Sequence, residues 1–106
     1  MTNYRLHVLR TWKNKQITDE QITNAVMGIA GEAGEICDMW KKVMFHKHPL
    51  DKAKLLNEIG DVRYYLEVLT YMLGETMENI EELNIDKLNK RYPNGFSVED
   101  SINRTE

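Results

Sequence analysis

GIAGEAGEICDMWKK occupies residues 28–42. Its apolar residues Ile29, Ala33, Ile36 and Trp40 recur at steps of three and four, the period of an α-helix and not of a strand. Ile22 and Val26 extend the stripe toward the N-terminus and Val43 toward the C-terminus, so the spacing predicts one long helix over Asp19–Phe45, capped by Thr18 or Asp19. Gly28, Gly31 and Gly34 lie inside it, each costing about 1 kcal/mol relative to alanine. Three such residues in two turns point to close approach of a backbone or a ligand, the alternative being a kink. Glu32 falls at the edge of the apolar stripe and Glu35 about 60° further round. Asn24 and Lys42 share that flank, which makes a polar strip of Asn24, Glu32, Glu35 and Lys42 beside the apolar face.

A second acidic pair follows in LLNEIGDVRYYL, residues 55–66. Leu55, Ile59, Val62, Leu66, Leu69 and Leu73 form the stripe of another helix, about residues 51–73, with Asp51 as cap and Gly74 as terminator. Glu58 and Asp61 sit beside that stripe, and Tyr65 lies one turn beyond Asp61. Residues three apart are neighbours on a helix. Two such helices facing one another would bring four carboxylates together, and carboxylates sharing a site call for a cation. Oxygen donors of this kind suit a hard ion such as Mg²⁺, which keeps waters and binds phosphate oxygens.

Shorter segments flank these two. Tyr4 to Asn14 reads as a first helix, and Met77 to Arg91 as a fourth, capped by Thr76 and stopped by Pro93. The inward stripe of the fourth runs Met77, Ile80 and Leu83, then Asn84, Lys87, Leu88 and Arg91, turning from apolar to basic. Cationic side chains aimed at a core are costly unless an anion meets them, and phosphate is the natural partner. The tail from Phe96 to Glu106 reads as loop or as a partner-docked segment. The expected fold is all-α, a four-helix bundle-like protomer formed by one domain over residues 1–106.

Several function classes lack support. The 106 residues carry a net charge of −3, so there is no basic face for nucleic acid. Cys37 is alone, which excludes a disulfide framework or a thiolate zinc site. No apolar run reaches membrane-spanning length, and charges interrupt the first ten residues where a signal peptide is apolar. A reducing cytoplasm is the expected compartment. A di-iron bundle needs Glu-x-x-His pairs, and none is present. His7, His46 and His48 read as surface or loop residues, Cys37 as a small packing residue, Met39, Met44 and Met72 as core filler, and Trp40 as core.

With both acidic pairs and NIDKLNKRYPNGF (residues 84–96) in view, nearly the whole chain resembles the MazG-like nucleoside triphosphate pyrophosphohydrolases. The resemblance rests on Gly31-Glu32-Ala33-Gly34-Glu35, on Glu58-Ile59-Gly60-Asp61-Val62, and on the NxxKLxxRYPxGF run that follows. It implies Mg²⁺ on Glu32, Glu35, Glu58 and Asp61, with Mn²⁺ as a substitute. It implies hydrolysis of NTPs or dNTPs between the α- and β-phosphates to a nucleoside monophosphate and pyrophosphate, in the service of nucleotide-pool control, with Glu32 or Glu35 acting on the attacking water. Asn84, Lys87, Arg91 and Tyr92 match the substrate-side motif, and Asn24, Lys42 and Tyr65 join them through their helix flanks. Homodimeric or homotetrameric assembly is implied too, with sites built across two subunits and with no nucleic-acid or membrane partner. Many members carry Glu where this chain has Gly31; the similar dCTP pyrophosphatases carry Gly. A phosphoribosyl-ATP pyrophosphatase and a non-catalytic nucleotide-binding or assembly module are the alternatives.

Overall fold

The computed structural model describes residues 3–104, and the described residues contain five helices and no strand. They are α1 (Tyr4–Thr11), α2 (Asp19–Phe45), α3 (Lys52–Met72), α4 (Met77–Arg91) and α5 (Val98–Ile102). Each begins at a residue whose side chain accepts a hydrogen bond from the first turn: Asn3, Thr18, Asp51, Thr76 and Ser97. Such caps satisfy backbone N–H groups that have no helical partner. The predicted span of α2 and its Thr18 cap agree with the structure, as do the span and cap of α4. The first helix stops three residues early, at Thr11, and α5 lies in the tail expected to be loop.

The chain divides into two compact units, residues 1–74 and 75–106. In the first unit α2 and α3 pack along one another and α1 crosses onto α3. Glu32 and Asp61 share one cleft, Glu35 and Glu58 line one cavity, and Gly28 abuts Tyr65. As the index falls along α2 it rises along α3, so the two helices form an antiparallel hairpin. The turn between them uses Lys47 in the left-handed region, φ 57°, after which the His48 N–H donates to the Lys42 carbonyl at 3.1 Å. A lysine there is strained relative to glycine, and the turn brings His48 back beside the end of α2.

The core of this unit is small: Val8, Trp12, Ala25, Val68 and Met72, with Ile22, Tyr64, Tyr65, Leu69 and Tyr71 packed around it. Burying a residue such as Val68 completely contributes about 1.5–3 kcal/mol. The core continues into polar ties between α1 and α3. Glu67, only 6% exposed at its side chain, accepts from Arg5 at 2.6 Å and from Arg63 at 2.9 Å. Thr11 Oγ donates to the Val8 carbonyl at 2.8 Å, so the Tyr64 hydroxyl, 2.7 Å away, donates to Thr11.

The apolar stripes are only partly buried. In α2 Ala25 is fully buried, whereas Val26 and Trp40 of the expected stripe are exposed. Trp40, at 49% exposure, is therefore not a core residue, and Cys37 is exposed rather than packed. Met72 is in the core as expected, while Met44 is exposed. In the second unit α4 carries no buried residue. The expected core-facing basic stripe is thus not core-facing in a single chain: Asn84 and Lys87 are exposed, Arg91 and Tyr92 half-buried. No described helix is long and apolar enough to cross a membrane.

Candidate carboxylate site

The antiparallel register sets the ExxE pair of α2 against the ExxD pair of α3. Glu32, Glu58 and Asp61 each place a carboxylate oxygen within 4.8 Å of the others, the one such group of potential ligands among the described residues. Glu32 and Glu58 are half-buried and Asp61 is exposed. The Glu32 carboxyl is pushed above its usual range by burial first, then by the negative charges of Asp61, Glu58 and Glu35 and by a hydrogen bond with Glu58. Three acids this close oppose each other's ionisation, and a cation among them would remove that opposition. The donor set is all oxygen and spans two helices, which fits a hard divalent ion and offers nothing to a soft one.

Glu35 is the fourth acid of the sequence pattern and stands outside this trio. It lines an adjacent cavity of about 410 Å³ between α2, the turn and α3, whose wall also includes Asp38, Lys42, His48, Lys54 and Glu58. Glu58 belongs to both places. Lys42 is tied to Asp38 at 2.9 Å, and that partner holds the ammonium above its usual range.

The other face of the trio is aromatic. Glu32 and Asp61 share their cleft with Tyr64 and Tyr65. The two rings meet edge to face, 5.2 Å between centroids at 90°, and Trp12, the C-cap of α1, packs on both, at 6.5 and 6.3 Å. Tyr65 also lies against Gly28, where an added Cβ would come within 2.4 Å of the ring. One of the three helix glycines therefore has a close-packing reason. A Cβ added at Gly31 or Gly34 would meet nothing within 4 Å among the described residues outside its own stretch of helix. The indole N–H of Trp12 is buried and has no hydrogen-bond partner among the described residues.

The structure thus gathers Glu32, Asp61 and Tyr65 at the cleft, joins Glu58 to the first two in the acid trio, and sets Glu35 and Lys42 at the cavity that Glu58 also lines. Asn24 is exposed and lines neither. Asn84, Lys87, Arg91 and Tyr92 belong to the second unit. Tyr64, His48 and Lys54 were not singled out by sequence. Tyr64 follows Asp61 by three, a helical neighbour spacing that signals it as well as Tyr65. Lys54 precedes Glu58 by four on α3 and carries the same signal, whereas His48 has none, because the turn places it.

No family model matches the sequence, and no solved structure matches the chain. The chain is 30% identical over 89 residues to the Gene 37 protein of Mycobacterium phage L5, and the alignment covers 80% of this chain and 78% of that protein. The chain belongs to the family of that phage protein.

Proposed function

We propose that this member of the Gene 37 family is a divalent-metal-dependent nucleoside triphosphate pyrophosphohydrolase. The observation that carries the reading is the trio of Glu32, Glu58 and Asp61 on two packed helices. These three side chains would hold Mg²⁺, or Mn²⁺ in its place. The ion, when bound, supplies positive charge to phosphate oxygens and to the departing pyrophosphate.

The remaining roles belong to the chain. Water attacks the α-phosphorus, the bond from that phosphorus to the bridging oxygen of the β-phosphate breaks, and the electron pair leaves with pyrophosphate. We assign the water proton to Glu35 as general base, since it lines the cavity beside Glu58 and is not part of the trio. Tyr64 and Tyr65, braced by Trp12, wall the cleft beside Glu32 and Asp61. The sequence resemblance assigns Asn84, Lys87, Arg91 and Tyr92 to substrate contact, and the cationic members of that set suit phosphate.

Assembly as a homodimer or homotetramer belongs to the same reading. It is supported by the apolar side chains that one chain leaves exposed, among them Trp40, Met44, Phe45, Leu56 and Ile59. Exposed large apolar side chains are the kind that association buries, and a protein with a small core gains most from it.

The deciding experiment incubates the folded protein with Mg²⁺ and a panel of NTPs, dNTPs and phosphoribosyl-ATP, with pyrophosphate as the readout. Release from at least one nucleotide, abolished by chelation, is expected. Folded protein that binds Mg²⁺ and nucleotide yet releases no pyrophosphate from any of them refutes the enzyme and leaves a binding module.

A further inference from the structure

The acid trio is divided between two helices, so its spacing depends on how α2 is held against α3. Next to the trio that packing runs through a column of rings. Gly28, one helical turn before Glu32, abuts the Tyr65 ring, and Trp12 meets Tyr65 edge-on at 6.3 Å and 88°. Tyr64 touches both rings, at 5.2 and 6.5 Å. Trp12 is only 8% exposed and caps α1, so the outer end of the column belongs to neither helix that carries the acids.

The attachment of α1 is short. Val8 and Trp12 enter the core cluster beside Ala25 of α2 and Val68 and Met72 of α3. The Tyr64 hydroxyl donates to Thr11 at 2.7 Å. Arg5 donates to Glu67 at 2.6 Å and stands 5.7 Å from the centre of the Tyr71 ring, while Arg63 donates to the same carboxylate at 2.9 Å and stands 4.7 Å from the centre of the Tyr4 ring. A helix of eight residues is not stable alone in water, so α1 is helical because it is docked. Residues 12–18, which join it to α2, lie outside any helix, and all of them but Trp12 are exposed.

From this we infer that α1 is a detachable clasp that positions the metal site. Docked, it backs Tyr65 against Gly28 through Trp12, which keeps Glu32 of α2 beside Glu58 and Asp61 of α3. Released, it lets the column and the trio loosen together. Docking of α1 and binding of a divalent cation are then coupled, and the coupling is reciprocal. The inference rests on the metal reading of the trio and adds the regulation of that site. Trp12, Thr11 and Arg5 are positioning residues, since none of them belongs to the trio. The clasp also predicts a sign that charge alone does not. Removing a cationic side chain strengthens a protein's attraction for a cation, whereas removing Arg5 undocks α1 and weakens it.

The test titrates Mg²⁺ by calorimetry into the full-length wild type, Thr11→Val, Thr11→Ser, Arg5→Ala and, as the charge control, Arg10→Ala at an exposed position of α1. Thr11 is exposed and valine nearly matches its shape, so the rest of the fold is expected to persist by circular dichroism. The Mg²⁺ Kd is expected to rise about fivefold or more in Thr11→Val and Arg5→Ala, as the docked fraction falls. Thr11→Ser, which keeps the hydroxyl, and Arg10→Ala are expected to stay within about twofold of the wild type. The reciprocal arm combines Thr11→Val with Trp40→Phe, which leaves Trp12 as the single tryptophan. Saturating Mg²⁺ is expected to reduce acrylamide quenching of Trp12 and to raise amide-exchange protection in Tyr4–Thr11. Equal Mg²⁺ affinity in wild type, Thr11→Val and Arg5→Ala, or Trp12 quenching indifferent to Mg²⁺, overturns the clasp and leaves the metal site standing. A wild type that binds no Mg²⁺ overturns both. Mg²⁺ binding that depends on Thr11 and Arg5, in a protein that hydrolyses no nucleotide, removes the enzyme and keeps the clasp.

Discussion

Gly28→Ala is the perturbation whose size follows most directly from the structure. A Cβ at residue 28 would lie 2.4 Å from Cδ1 and Cε1 of Tyr65, against about 3.5–4.0 Å for relaxed carbon contacts. The Tyr65 ring has little room to yield, because Trp12 and Tyr64 each meet it edge-on, at 88° and 90°. Overpacking of this kind costs about 1–3 kcal/mol. Replacing a mid-helix glycine by alanine returns about 1 kcal/mol of helix propensity. The net effect is a loss of about 1 kcal/mol. Gly31 sits in the same helix with nothing within 4 Å, so Gly31→Ala keeps the gain and avoids the clash. The difference between the two variants cancels propensity and isolates the steric term, which makes Gly28→Ala about 1–3 kcal/mol less stable than Gly31→Ala. Urea titrations followed by far-ultraviolet circular dichroism give both values, provided that the slopes agree. A double-mutant cycle locates the cause: in a Tyr65→Ala background, Gly28→Ala becomes stabilising. If Gly28→Ala is as stable as Gly31→Ala, or if the Tyr65 background leaves its effect unchanged, the packing of α2 on α3 at this level is not as described.

Other expectations concern charge and chemistry. Glu67 is buried, which opposes its ionisation, but the hydrogen bonds and charges of Arg5 and Arg63 outweigh this and hold its carboxyl below the usual 4.5. A folded value below the unfolded one contributes stability that is fully present above the unfolded value and is lost as pH falls through the folded one. Thermal stability is therefore expected to drop below about pH 4.5, and the part of that drop due to this group to vanish in Glu67→Gln. Glu67→Ala, which leaves two arginines facing a partly buried gap, is expected to cost about 3–5 kcal/mol by denaturant unfolding. Asp61→Asn and Glu58→Gln should each weaken Mg²⁺ binding by calorimetry and remove most pyrophosphate release, whereas Glu35→Gln should remove release with Mg²⁺ binding largely kept. Lys87→Ala is expected to raise the nucleotide KM by about tenfold at unchanged fold, the loss of one charge-assisted phosphate contact.

The helices were legible in the sequence because their determinants are local. The three-and-four spacing of Ile22, Val26, Ile29, Ala33, Ile36, Trp40 and Val43 makes α2, and Thr18, Asp51 and Thr76 start their helices by accepting hydrogen bonds from N–H groups three residues away. The pairing of Glu32 with Asp61 was legible too, since two acidic pairs on the flanks of consecutive helices meet once the hairpin closes. Which face of α2 would be covered was not legible. Periodicity marks Val26 and Trp40 as apolar positions but cannot say how much partner surface one chain supplies, and here it supplies too little to bury either. The same limit applies to α4, whose apolar start at Met77, Ile80 and Leu83 reads as a core stripe although the helix has no buried residue. The short α5 was missed because five residues carry too little periodicity to stand out from loop.

The sequence by itself thus determined that the chain is helical, where its main helices begin, and that two acidic pairs flank apolar stripes, since caps, breakers and helical period act within a few residues. Only the tertiary structure decided that three of the four acids form one group while Glu35 borders the neighbouring cavity. Only it decided that Gly28 makes room for Tyr65, and that a turn through Lys47 brings His48 to the cavity that Glu58 also lines. These depend on the register and rotation of α2 against α3, fixed by packing between residues some forty positions apart, for example Gly28 against Tyr65, which no local pattern encodes.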